Sequence, residues 1–245
     1  MALAKPPRRS KLEAKLIALE KARTVLVFGL DIANGISALA QASSSDLQPS
    51  GLGYLPAAAA SRSSVGYVTD PESSVTAIRI EGPALSVEAR CRLLRKMFKD
   101  QGATEELHGH NSSTLWREIA NVEFLGDDES DLWRLSVPPS TAASVASRIK
   151  AGLSSACKSG FIFDWAGGLI WFEVMGAEGA AHEIVRDSLI AGGGHATLIK
   201  ASEEVRRSIP VFQPLSPGLS ALNARVKQGF DPRSLLNPGR MSADY

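Results

Sequence analysis

Arg134 and His195 are two residues whose types and settings could bind a ligand. Arg134 lies in Leu132-Trp-Arg-Leu-Ser-Val137 between apolar neighbours. An arginine presents a planar fork of N–H donors that matches a carboxylate, and strand alternation sends it either into a pocket or onto the wet face of an edge strand. His195 follows Gly192-Gly-Gly194 at the start of an apolar run. An imidazole can donate or accept a hydrogen bond, so it can meet a ligand there or simply cap the turn. His108 and His110 could point the same way from a strand, but no third ligand is near in sequence and Gly109 suggests a loop, so no metal site is expected. Gly192 to Gly194 lack the lysine and helix start of a phosphate loop and read as a turn. Asp164, Trp165 and Trp171 around the Gly167-Gly168 pair read as core and turn residues ahead of cofactor contacts.

The elements that must position these residues follow from period and breakers. Lys11 to Arg23 carries Leu12, Leu16 and Leu19 at helical spacing and reads as a short amphipathic helix. Thr24 to Leu30 is a strand, with Asp31 capping a helix to Ala42. Leu47 to Leu55 is a weaker strand; Val75 to Glu81 is a strong one, followed by a helix from Ala84 to about Asp100 and a strand at Thr104 to His108. After a helix near Ser112 to Asn121 the order repeats: strand Leu132 to Val137 stopped by Pro138-Pro139, helix Ser140 to Gly152, hairpin Phe161 to Trp165 and Leu169 to Val174, helix Ala177 to Ile190, strand His195 to Lys200. The expectation is an α+β fold, an antiparallel sheet with helices on one side, built from two ferredoxin-like β-α-β-β-α-β units. Ser202 to Pro217 reads as loop, and a last helix spans Gly218 to Gly229.

With 245 residues and 44% hydrophobic content the chain can bury a full core. Its 27 basic and 26 acidic residues leave a formal charge of +1, with no bulk field to attract nucleic acid or anionic lipid. Cys91 and Cys157 form no Cys-x-x-Cys pattern, so neither a disulfide framework nor a thiolate metal site is indicated, and a reducing cytoplasm fits. No apolar run is long enough for a membrane span.

The tail Phe230-Asp-Pro-Arg-Ser-Leu-Leu-Asn-Pro-Gly-Arg-Met241 resembles the C-terminal signature of FAD-linked oxidases of the vanillyl-alcohol-oxidase type, with Ser234 where glycine is common. Leu132-Trp-Arg-Leu-Ser-Val-Pro138, Asp164-Trp-Ala-Gly-Gly-Leu-Ile-Trp171, Gly193-Gly-His-Ala-Thr-Leu198 and Val211-Phe-Gln-Pro-Leu215 are similar to blocks of the glycolate oxidase E-subunit family, in the expected order. Leu3-Ala-Lys-Pro-Pro7 looks like the end of that family's flavin domain. The resemblance therefore implies residues 1–23 as a remnant of the flavin domain with its helix, and residues 24–241 as the FAD-linked oxidase C-terminal, substrate-side domain.

In the resembled enzymes a 2-hydroxy acid gives a hydride to FAD while the protein supplies orientation and electrostatics. The resemblance implies Arg134 for the substrate carboxylate, His195 for its hydroxyl, and Asn237 and Arg240 near the flavin at the returning tail; alternatively Asn237 only turns the chain and Arg240 pairs with a carboxylate of the flavin domain. It also implies partners: a glycolate oxidase flavoprotein subunit, an iron–sulfur subunit and a FAD-binding domain. No Gly-rich phosphate cradle precedes Lys11, so the expectation is a truncated, split or decayed gene product that binds FAD weakly alone and is inactive without its partner. Two other functions remain open, a non-catalytic assembly module and a regulatory domain that binds a small ligand unaided.

Overall fold

The computed structural model describes residues 20–126 and 128–239, in a mixed α+β fold of two compact units divided between Asn121 and Val122. In the first unit the elements run β1 (Glu20–Phe28), α1 (Ile32–Ser43), β2 (Gly51–Leu55), β3 (Val75–Pro83), α2 (Ala84–Phe98), β4 (Thr104–His108) and α3 (Gly109–Asn121). Its strands lie in the order β4-β1-β3-β2, antiparallel throughout. Val25 pairs with Ile78 and Glu106, which sets the apolar residues of β1 and β3 in register.

The sheet's two faces are covered by different helices. Tyr54 packs its ring against Gly35 of α1, where a Cβ would come within 2.3 Å of the ring. It shares its face with Thr76, Ile78 and Ile80, so α1 and α2 lie together on that side, with Cys91, Leu94 and Phe98 of α2 fully buried. The other side is closed by α3. Trp116 donates from Nε1 to Thr24 Oγ1 at 2.8 Å, and Thr24 shares a 2.8 Å hydroxyl contact with Ser112. Those bonds let Thr24 be buried completely without an unsatisfied hydroxyl. Glu118, 3% exposed, is held by Ser63 Oγ at 2.6 Å and the Ser64 backbone N–H at 2.8 Å, fixing the connection between β2 and β3. That connection contains single helical turns at Ala57–Ala60 and Gly66–Thr69 that its Ala-, Ser- and Gly-rich composition did not announce.

In the second unit the elements are β5 (Asp131–Ser136), α4 (Ala142–Gly152), β6 (Lys158–Asp164), β7 (Leu169–Met175), α5 (His182–Ile190), β8 (His195–Lys200), α6 (Glu203–Ser208) and α7 (Pro217–Phe230). The strand order is β6-β7-β5-β8, again antiparallel. Trp133, Leu135, Phe163, Ile170, Phe172 and Ala196 fill one face with essentially no exposure, each large side chain contributing about 1.5–3 kcal/mol. Trp133 donates from Nε1 to the Ala180 carbonyl at 2.9 Å just before α5, and Arg148 of α4 donates to the Ser188 carbonyl of α5 at 2.6 Å. The helices therefore sit on the Trp133 face.

Three sequence expectations change. Glu20 to Arg23, read as the end of a helix, open β1 instead: the ladder to β3 and β4 starts there, and Arg23 pairs with Glu106 at 2.6 Å. The rest of that expected helix, and the Leu3–Pro7 remnant, fall outside the described residues. Strand β2 starts at Gly51 rather than Leu47, because Gln48 is left-handed at φ 47 and Arg90 takes the Leu47 carbonyl. Finally, Ser202 caps α6 by accepting from the Val205 N–H at 3.3 Å, inside a stretch read as loop.

Candidate functional site

Alternation along β5 puts Trp133 and Leu135 into the core and Arg134 and Ser136 on the opposite face. Register then defines the neighbours. Arg134 stands opposite Trp171 on β7 and Thr197 on β8, while Ser136 stands opposite Leu169 and His195. Arg134 and His195 are therefore diagonal cross-strand neighbours on one face, with backbones about 7–8 Å apart, within reach of a ligand the size of a hydroxy acid. Arg134 is half-buried and His195 exposed.

Above Arg134 lies the β6–β7 turn. Asp164 accepts from the Trp165 N–H at 2.7 Å, and the chain reverses through Trp165 (φ 52), Ala166 (φ 56) and Gly167 (φ 94). Left-handed backbone at Trp165 and Ala166 costs of order 1–2 kcal/mol per residue. The expected pivot at Gly167-Gly168 is thus shifted toward Trp165. Nor is Trp165 a core residue: it is 59% exposed, its ring standing under the Arg134 guanidinium at 5.6 Å from Cζ to the centroid. Trp171 is half-buried on the same sheet face. Among the described residues, neither the Arg134 nor the His195 side chain makes a hydrogen bond or ion pair, so the donors of the guanidinium and the imidazole nitrogens are available to a ligand.

The strand carrying His195 is anchored from both ends. Gly193 N–H returns to the Leu189 carbonyl at 2.9 Å, so the three glycines form the C-terminal turn of α5, as their sequence context suggested. Carbonyls, not N–H groups, point out of a helix end of that kind, so it does not fit a flavin pyrophosphate. On the far edge, Val211 O accepts from Leu198 N at 2.9 Å, and Gln213 Oε1 accepts from Ala196 N at 3.2 Å. Arg186 ties this strap down, donating to the Pro210 and Phe212 carbonyls and to Gln213 while standing over the Trp133 ring at 5.4 Å. Burial lowers the pKa of Arg186 from its usual value.

The tail is organised by Asp231, which is 7% exposed. Its carboxylate accepts from Lys227 Nζ at 2.7 Å, Leu236 N at 2.8 Å and Leu235 N at 3.0 Å, and these partners, Lys227 first, hold its pKa down at about 2. Asn237 follows in left-handed conformation (φ 46) and is exposed; Arg240 lies outside the described residues. Preceding them, α7 buries no residue, and Leu219, Leu222, Val226 and Phe230 recur at helical spacing with Phe230 87% exposed. Sequence reading had identified the signature but not this bare apolar face.

The remaining candidates are accounted for locally. His108 Nε2 is 3.3 Å from Glu106 Oε1, and His110 Nε2 is 3.5 Å from Thr114 Oγ1. No group of three metal-ligating side chains occurs among the described residues. Both cysteines are free, and burial pushes the Cys91 thiol up to about 11, which makes it inert. No helix among the described residues is long and apolar enough to cross a membrane.

No protein-family model matches the chain. The sequence is 28% identical over 168 residues to glycolate oxidase subunit GlcE of Escherichia coli (strain K12), an alignment covering 68% of this chain and 39% of that protein. Solved structures share the fold. p-Cresol methylhydroxylase superposes with a TM-score of 0.59 at 15% identity, over 92% of this chain and 53% of the other. The 4-ethylphenol oxidase of Gulosibacter chungangensis gives 0.56 at 11% identity, over 90% and 53%. Alkyldihydroxyacetonephosphate synthase gives 0.52 at 14%, over 87% and 42%. The chain thus resembles the glycolate oxidase E subunit and takes the fold of part of these three enzymes, while spanning only about two fifths to one half of each relative.

Proposed function

We propose that residues 24–241 act as the substrate-side domain of a FAD-dependent 2-hydroxy-acid oxidoreductase of the glycolate oxidase E type. The observation that carries this reading is the pair Arg134 and His195: two side chains suited to an oxyacid, on the sheet face opposite Trp133, with their side-chain polar atoms unspent among the described residues. Arg134 forks the carboxylate, and His195 accepts a hydrogen bond from the 2-hydroxyl and takes up its proton. On this reading the redox step belongs to FAD, held by a flavin-binding domain outside residues 24–241. Nothing in the Gly192–Gly194 turn suits the cofactor's phosphates, and no residue of this chain is assigned a step on it. Asn237 and Arg240 belong to the tail that returns to the flavin-bearing neighbour, with a flavoprotein and an iron–sulfur subunit completing the assembly.

The test is to express the chain together with the FAD-binding domain of a glycolate oxidase E-type protein and to follow flavin bleaching by 2-hydroxyacetate without oxygen. Arg134→Gln should slow bleaching by about a hundredfold or more, the size of a lost charge-assisted contact in a closed site. His195→Asn should slow it by about a hundredfold while leaving acid binding nearly intact. Bleaching that ignores both substitutions would rule the reading out. A second reading, a non-catalytic assembly module, is favoured specifically by the bare apolar face of α7. It predicts a complex without any contribution of Arg134 to turnover.

A further inference from the structure

Three arginines stand over tryptophan rings among the described residues, and they divide into two kinds. Arg79 lies 5.1 Å over Trp116, and its donors are taken by Ser50 Oγ at 3.2 Å and by Glu81 at 3.4 Å. Arg186 lies 5.4 Å over Trp133, with donors going to the Phe212 carbonyl at 3.0 Å and Gln213 Oε1 at 2.9 Å. In both, the ring and the polar partners together build structure. Arg134 lies 5.6 Å over Trp165 and has no polar partner among the described residues. The rings differ too. Trp116 and Trp133 are buried, whereas Trp165 is 59% exposed and held out on a left-handed backbone.

We infer that Trp165 is a positioning residue, whose ring holds the Arg134 guanidinium in its ligand-binding orientation without using any of its hydrogen-bond donors. This rests on the acid-binding role given to Arg134 above. The physical reason lies in the group's shape: a guanidinium's N–H bonds lie in its plane and an aromatic ring attracts it through its face. A carboxylate partner would fix Arg134 equally well but would occupy the fork the substrate needs. A ring fixes it and leaves the fork open. Pre-organising a flexible side chain in this way removes part of the ordering cost of binding. It also explains why a strained turn presents a large apolar ring to solvent: strain of this kind persists where surrounding structure serves a ligand, and packing alone gives Trp165 little return.

The full chain can be titrated with sodium 2-hydroxyacetate, with the neutral 2-hydroxyacetamide as control, following indole N–H resonances by NMR. The acid should bind and the amide should not. Trp165→Ala should weaken acid binding about fivefold, the range of a half-exposed cation–π contact, and Trp165→Phe should recover most of the loss. In an Arg134→Gln background, which abolishes binding of the acid, Trp165→Ala should have no further effect. Because Trp165 is mostly exposed, both variants should melt with the parent, and Trp165→Phe serves if the alanine variant does not fold. Parental affinity in Trp165→Ala, or a phenylalanine no better than alanine, overturns the positioning role and leaves the acid-binding reading standing. Acid binding that survives Arg134→Gln, or no binding by the parent chain, overturns that reading and this inference together.

Discussion

Asp231 does for the tail what a capping residue does for a helix. Its two carboxylate oxygens gather the N–H groups of Leu235 and Leu236 and the ammonium of Lys227, which in turn holds the Leu236 carbonyl. A carboxylate stabilised by donors has its pKa depressed, here from the ordinary 3.8 to about 2. The clasp therefore contributes fully above about pH 4 and is lost as the pH falls through about 2. Asp231→Asn removes the charge and one acceptor. Amide exchange at Leu235 and Leu236 should then rise by about tenfold near neutral pH, and the acid-dependent loosening seen in the parent should vanish. Persistence of slow exchange in the variant would mean that the clasp does not hold the tail. At this scale the sequence was half legible. Arg134 and His195 could be picked out as candidates by type and context, whereas the clasp at Asp231 could not, because its partners Lys227, Leu235 and Leu236 meet it only through the turn after α7. Nor could Trp165, because only the left-handed turn and the register of β5 turn an apparent core tryptophan into an exposed platform.

Among the elements, β4 and β8 begin and end where alternation and flanking breakers put them, and Asp31 caps α1 as its position suggested. Helical period failed at Glu20 to Arg23, where cross-strand pairing with β3 and β4 overrides a helix-favouring composition. Facing was the least legible property: that Arg134, Trp171, Thr197 and His195 share a surface depends on which strands are neighbours, and pairing is not written in any one strand. The start of β8 shows how tightly that surface is set. A Cβ on Gly194 would sit 2.4 Å from the Ser136 carbonyl oxygen, at φ 111, whereas one on Gly193 meets nothing within 4 Å, at φ 74. Gly194→Ala should cost about 3 kcal/mol and displace His195, while Gly193→Ala should cost only about 1 kcal/mol for its left-handed backbone. Urea unfolding of the two variants side by side checks this, and equal losses would show that the close approach to Ser136 does not constrain the strand.

For the whole molecule, the decisive property is the surface it leaves uncovered. Leu219, Leu222, Val226 and Phe230 on α7, with Leu235 and Leu236 in the clasped tail, are all about half exposed or more. Scattered exposed leucines need no explanation, but a helix of 14 residues that buries none of them does. The chain also covers only 39% of the GlcE sequence, and the fold it shares with p-cresol methylhydroxylase occupies 53% of that chain, so each relative has a large remainder available to cover such a face. On the proposed reading the occupant is the FAD-binding domain, which can be supplied as a separate polypeptide. Leu222→Glu with Val226→Glu should leave the melting of the isolated chain nearly unchanged, within about 0.5 kcal/mol, because neither side chain supports its own core. The same pair should abolish co-purification with that polypeptide, since two carboxylates would be desolvated without partners at the contact. If co-purification survives while a dimer of the chain falls apart, α7 pairs copies of this chain instead, and the flavin-bearing partner must be sought on the Arg134 face.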